Sequence, residues 1–147
     1  MKKISLFIMA LVLSIATIQA DNETITQDAS QLPAISREFV TTHFKGVNIA
    51  HIVIEKNLLG IKGYDVILTN GVDVEFNKSG EWKEVDGNHT IIPVAIIPAN
   101  IANYIKVNYA GSEVVKIEKD WREYEIKLNN GLELTFDTKG NLTDIDN

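Results

Sequence analysis

Cysteine is absent from the 147 residues. That removes disulfides, thiol nucleophiles, cysteine-ligated zinc and iron–sulfur clusters. It also removes the lipid-modified cysteine on which a bacterial lipoprotein anchor depends. Positive charge is scarce, with 14 Lys and Arg against 20 Asp and Glu and a net charge of −6. Binding to nucleic acid needs clustered cations against phosphate and is disfavoured; docking on anionic lipid is disfavoured for the same reason. The three histidines, His43, His51 and His89, fall nowhere near an i, i+4 ligand pair, so a helical zinc site is not expected. There is no HExxH, no nucleophile elbow, no Gly-rich phosphate loop and no Asp-x-Asp-x-Asp-Gly calcium loop. The expectation is therefore no enzyme, no catalytic residue, no cofactor and no resident metal.

One long apolar run is present. Lys2 and Lys3 precede Ile4 to Ile18, which is broken only by Ser5, Ser14 and Thr17, and Ala20 then gives way to Asp21-Asn22-Glu23. A positive start, a short apolar stretch and a small residue at its end read as a secretory signal peptide, residues 1–20, cut after Ala20. The run is shorter than the roughly 20 residues a spanning helix needs. The chain is thus expected to be periplasmic or secreted, with no stable membrane insertion after cleavage. Cleavage removes two lysines and no acid, taking the net charge from −6 to −8. Without disulfides the remainder must be held by its core, which is feasible because a domain of about 150 residues buries about 68–70% of its unfolded surface.

What is present is a repeat. Tyr64 to Asp86 matches Tyr124 to Asp146 without a gap at an offset of 60, with identities at Tyr64/Tyr124, Leu68/Leu128, Asn70/Asn130, Gly71/Gly131, Phe76/Phe136, Gly80/Gly140 and Asp86/Asp146. Like replaces like at Val66/Ile126, Asp73/Glu133, Val74/Leu134 and Val85/Ile145. Upstream the offset is 65, pairing Leu32-Pro33-Ala34 with Ile97-Pro98-Ala99 and Phe39-Val40 with Tyr104-Ile105. The difference predicts about five extra residues in the first copy, expected as a longer hairpin loop at 57–63.

Each copy is expected to open with a helix. Pro33 and Pro98 suit a first turn. Ile35, Phe39, Val40 and Phe44, and likewise Ile101, Tyr104, Ile105 and Tyr109, recur at near-helical spacing. Gly46 and Gly111 end the helices. Four strands follow in each copy. Asn70-Gly71 and Asn130-Gly131 mark hairpins in which both turn residues tolerate positive φ. Alternation sends Tyr64, Val66, Leu68, Val74 and Phe76 to one face and Asp65, Ile67, Asp73 and Glu75 to the other. The expected fold class is α+β: two tandem repeats (21–87 and 88–147), each a helix plus a four-stranded antiparallel sheet, packed as one unit with the helices on one face.

The residue order resembles the PepSY-like family, related in fold to the β-lactamase-inhibitor proteins. The resemblance rests on Leu32-Pro33, Phe39, His43-Phe44, the Tyr64–Phe76 hairpin, Gly80 to Asp86, and the second helix and hairpin from Ile97 to Phe136. It implies an exported α+β protein of the bacterial envelope and leaves activity open, because fold does not carry function.

Two sets of candidate residues emerge. The acidic sheet face collects Asp65, Asp73, Glu75, Glu125 and Glu133, and paired carboxylates can bind calcium or do acid/base work. The hairpin turns carry Trp121, Arg122, Leu58 and Leu59, and a Trp beside an Arg suits a binding hot spot. The expected function is an exported, non-enzymatic module that binds an envelope protein or peptide, as an inhibitor or regulator of an envelope hydrolase in one version. The alternative is a calcium or small-ligand binder that uses the acidic face.

Overall fold

Among the described residues nine strands join in chain order, and every neighbouring pair is antiparallel. The computed structural model describes residues 22–147; the expected signal peptide, 1–20, lies outside the described residues. The strands are β1 (Asn22–Thr26), β2 (Ile49–Asn57), β3 (Gly60–Leu68), β4 (Asp73–Asn77), β5 (Trp82–Asp86), β6 (Val114–Lys119), β7 (Glu123–Leu128), β8 (Glu133–Asp137) and β9 (Leu142–Asp146). Helix α1 (Ala34–His43) lies between β1 and β2, and helix α2 (Ala99–Asn108) lies between β5 and β6.

This corrects the expected fold class. The chain is not two tandem units of one helix and four strands: it is a single nine-stranded antiparallel sheet, mostly β, with two α-helices among the described residues. The pairing of β5 with β6, through Glu84↔Glu118, Val85↔Ile117 and Asp86↔Lys116, makes the sheet continuous. Strand β1 was not anticipated, because Asn22-Glu-Thr-Ile-Thr26 is short and polar. It adds to β2 through Thr24↔Ile54 and Thr26↔Ile52.

Both helices cover the same face. Phe39 of α1 meets Phe76 edge-on at 5.7 Å, and Tyr104 of α2 meets Phe136 edge-on at 5.5 Å. Beneath them one cross-strand row runs Thr26, Ile52, Val66, Val74, Val85, Ile117, Ile126, Leu134, Ile145. Its members from Ile52 to Leu134 are at most 1% exposed. Burial of this kind stabilises by roughly 25 cal/mol per Å² of apolar surface.

Three local expectations also change. Ile35 is exposed, and Ser36 takes the buried place on α1 because its hydroxyl donates to the Gly80 carbonyl at 2.8 Å. The extra residues of 57–63 lengthen β2 and β3, and only Leu58-Leu59 form the turn. In the Asn-Gly hairpins only the glycines have positive φ, +86° at Gly71 and +95° at Gly131. Each turn is therefore an ordinary bend closed by a glycine in the left-handed region, the form that three-residue hairpin loops use.

Candidate functional site

The face that the helices leave open is built by strand alternation. In β3 to β8 the residues that alternate with the core positions, such as Asp65 beside Val66 and Glu75 beside Val74, point away from the helices. Register then decides which of these meet. Five carboxylates stand in one line across adjacent strands: Asp65 on β3, Glu75 on β4, Glu84 on β5, Glu118 on β6 and Glu125 on β7. Thr135 and Asp144 continue the line on β8 and β9. The next row runs His51, Ile67, Asp73, Asp86, Lys116, Lys127, Glu133, Asp146.

Like charges directly opposite each other destabilise a sheet, so the row needs relief. Lys116 supplies it at the centre, 2.8 Å from Glu84 and 3.7 Å from Asp86. Lys83 reaches Glu75 at 3.1 Å, Lys127 reaches Glu133 at 3.1 Å and Lys62 reaches Glu55 at 3.3 Å. Among the described residues no ion pair reaches Asp65, Glu118 or Glu125.

The proton affinities follow. Burial, then the charges of Asp73, Glu55, Glu75 and Glu23, push the Asp65 carboxyl up to about 6. Burial, with Glu84, Asp86 and Glu75, raises Asp73, whose Oδ1 is buried without a hydrogen-bond partner. Burial, with Glu84 and Glu125, raises Glu118. Burial alone would depress Lys116; its hydrogen bond to Glu84 and the nearby carboxylates outweigh that and raise it. Over β6 to β9 the face dips into a hollow of about 440 Å³ bordered by Lys116, Glu118, Glu125, Glu133 and Asp144.

The expected residues are thus partly brought together. Glu75 and Glu125 share one row, and Asp73 and Glu133 share the next. Glu84, Asp86, Glu118 and Asp144 belong to the same surface and were missed; alternation around Val85 and Ile117 was the signal that places them. The turn residues are exposed, Leu58 at 89%, Leu59 at 97% and Trp121 at 84%. Arg122 lies 5.3 Å from the Trp121 ring centre, and its backbone N–H donates to Asp120. The β2–β3 and β6–β7 turns leave the same end of the sheet, but four strand spacings, roughly 19 Å, separate them. They do not form one patch.

Among the described residues no group of three or more His, Asp or Glu side chains is assembled to hold a metal ion. On the helix side, an apolar hollow of about 1170 Å³ opens between α2 and the segment before it, lined by Trp82, Ile91, Val94, Ala102, Lys106 and Tyr124 among others. Among the described residues no helix is long and apolar enough to cross a membrane.

A family described as "Putative beta-lactamase-inhibitor-like, PepSY-like" matches residues 62–144. Among solved structures, the chain is similar to a "putative calcium-regulated periplasmic protein" of Bacteroides thetaiotaomicron, at 46% identity and a TM-score of 0.79, covering 85% of this chain and 97% of that one. It is similar also to two proteins of Bacteroides vulgatus described as periplasmic. Both are 40% identical with a TM-score of 0.80, over 86% and 87% of this chain and 100% and 99% of theirs. No curated protein matches the chain.

Proposed function

The chain belongs to this PepSY-like family, and from that premise we propose that it is an exported, non-catalytic module that binds a protein or peptide through the open acidic face of its sheet. The observation that carries the reading is the row of five opposed carboxylates from Asp65 to Glu125. Such a row costs stability in the unbound chain, and a cationic surface laid across it turns repulsion into attraction. The net charge, −6 for the whole chain and −8 after removal of residues 1–20, extends the same field outward, which speeds encounter with basic partners and weakens with salt. Trp121 and the Leu58-Leu59 turn stand at one end of the face as separate apolar contacts. In its inhibitory version the module would act by occluding the entrance of an envelope hydrolase, a version suggested by the family's description.

The test is capture from envelope extract by wild type, by a Glu118→Lys/Glu125→Lys variant and by a Trp121→Ala/Leu58→Ala variant, at low and high salt. The expected result is a partner recovered by wild type at low salt, lost on charge reversal and reduced by loss of the apolar contacts. Equal recovery by wild type and the charge-reversed variant removes the face from the account.

A second reading is calcium binding on the same face, favoured by the "calcium-regulated" description of the 46% identical neighbour. Since no ligand cluster is assembled, calcium would have to draw neighbouring carboxylates together. A ligand of the native state raises the melting temperature by mass action. A rise with millimolar calcium, absent with magnesium and absent in Glu118→Gln/Glu125→Gln, is the expected result; no shift ends this reading.

A further inference from the structure

We propose that the outer edge of β9 is a docking edge for an extended basic–apolar peptide, which adds to the sheet as a further strand. The backbone groups of the site lie at the outer edge of the sheet, beyond the open face, although its Asp144 and Asp146 also border that face.

The two edges of the sheet are not alike. The buried cross-strand row ends in Thr26 on β1 and in Ile145 on β9. The β1 end is closed by a polar side chain. The β9 end leaves an isoleucine 50% exposed beside Leu134, which is fully buried. Among the described residues no strand lies on the outer side of β9, so its outward backbone groups are unpaired, the arrangement that strand addition exploits.

The chain itself shows what such an edge accepts. Glu84, Val85 and Asp86 of β5 are the positions matched in sequence by Asp144, Ile145 and Asp146 of β9. On β5 that edge is filled by β6. Ile117 lies beside Val85, which is then 0% exposed, and Lys116 lies opposite Asp86 with its ammonium 2.8 Å from Glu84. On β9 the two acids have no ion pair among the described residues. The fitting occupant therefore has a β-branched residue to set against Ile145, Lys or Arg to set against Asp146 as Lys116 is set against Asp86, and, against Asp144, a cation in place of the Glu118 that faces the matching Glu84. Backbone hydrogen bonds would supply affinity and these side chains specificity.

A second copy of the chain fits poorly. Antiparallel pairing of two β9 strands about Ile145 sets Asp144 against Asp146 twice. Pairing β9 with another copy's β1 in a continuous sheet sets Thr24 or Thr26, which share the buried row's face, beside Ile145, while the exposed Ile25 of β1 falls on the opposite face with Glu23.

The test uses a fluorescently labelled peptide, Val-Val-Lys-Ile-Lys-Lys, titrated into the mature chain by anisotropy, with amide hydrogen exchange read on β9. Wild type is expected to bind, with weakening in salt and slower exchange confined to β9. Ile145→Lys and, separately, Asp144→Asn/Asp146→Asn should each weaken binding about tenfold or more, equivalent to about 1.4 kcal/mol. A peptide with Pro in place of Ile should not bind, and Glu118→Gln/Glu125→Gln should bind as wild type does. Thermal melting checks that each variant is folded. No binding by wild type, equal binding by Ile145→Lys, protection elsewhere than β9, or loss of binding in the open-face variant each overturns the proposal. So does a dimer of the unliganded chain that Ile145→Lys dissolves, which would give the edge to a second copy.

Discussion

Glu84 and Glu118 face each other across the β5–β6 pairing, and one ammonium, Lys116 Nζ, lies 2.8 Å from Glu84 and 3.7 Å from Asp86. The joint that makes the sheet continuous is thus also the centre of its negative row, and one cation moderates it. Lys116→Ala should destabilise the chain by about 1 kcal/mol, read as a lower urea midpoint. Adding Glu118→Gln should recover part of the loss, because the deleted lysine and the deleted carboxylate act on the same charges. No recovery on adding Glu118→Gln would show that the opposed pair carries no energetic cost.

The open face also sets a pH dependence. Asp65 is raised from its usual 3.8 to about 6, chiefly by burial, and Asp73 and Glu118 move in the same direction. Between those two values the folded chain holds more protons than the unfolded one, so stability falls as pH rises through the window and stays lower above it. The urea midpoint is therefore expected to be higher near pH 5 than above about pH 7, and Asp65→Asn should flatten the difference. A midpoint that climbs from pH 5 to 7 in wild type would contradict the raised affinity of Asp65 for its proton.

Ser36 and Gly80 join α1 to the turn after β4. The Ser36 hydroxyl is fully buried and donates to the Gly80 carbonyl at 2.8 Å. Ser36→Ala should cost about 1–3 kcal/mol, the range for a buried partner left unsatisfied. Gly80→Ala should cost more. Its φ is +90°, and a new methyl would lie 2.6 Å from Pro33 Cβ and 2.8 Å from Ser36 Oγ. Urea unfolding of the two variants checks the order of the losses.

How much of this was legible follows from which interactions are local. Alternation around Val66, Val74, Ile126 and Leu134 is a property of single strands, and it identified the buried face and half of the acids. Register between β5 and β6 is not local: 27 residues separate Asp86 from Val114. Nothing in either strand alone announces that Glu84 meets Glu118, so the single sheet and its central carboxylates stayed hidden. Ser36 failed differently. Helical spacing selects apolar residues and chose Ile35, whereas the close approach of Gly80 leaves room there for a small side chain that can donate a hydrogen bond. Trp121, Leu58 and Leu59 were recognisable as turn residues, but the strands between the two turns set a separation that no spacing along the chain gives.

The two tryptophans separate structure from recognition. Trp82 stacks on Phe39 with ring centres 6.0 Å apart, and Lys119 Nζ lies 4.0 Å from its ring centre. It is half-buried against the core, so Trp82→Ala should cost about 2–4 kcal/mol, somewhat less than truncating a fully buried aromatic. Burial also lowers the Lys119 proton affinity, which fits an ammonium partly shielded by that indole. Trp121 is 84% exposed on a turn whose backbone is held by Asp120, through hydrogen bonds from the Arg122 and Glu123 N–H groups at 2.7 and 2.9 Å. The turn does not need the indole, so Trp121→Ala should change stability by less than about 0.5 kcal/mol. If Trp121→Ala unfolds as easily as Trp82→Ala, the exposed ring is packing on its own hairpin in solution, and it can no longer be counted as a contact kept for a partner.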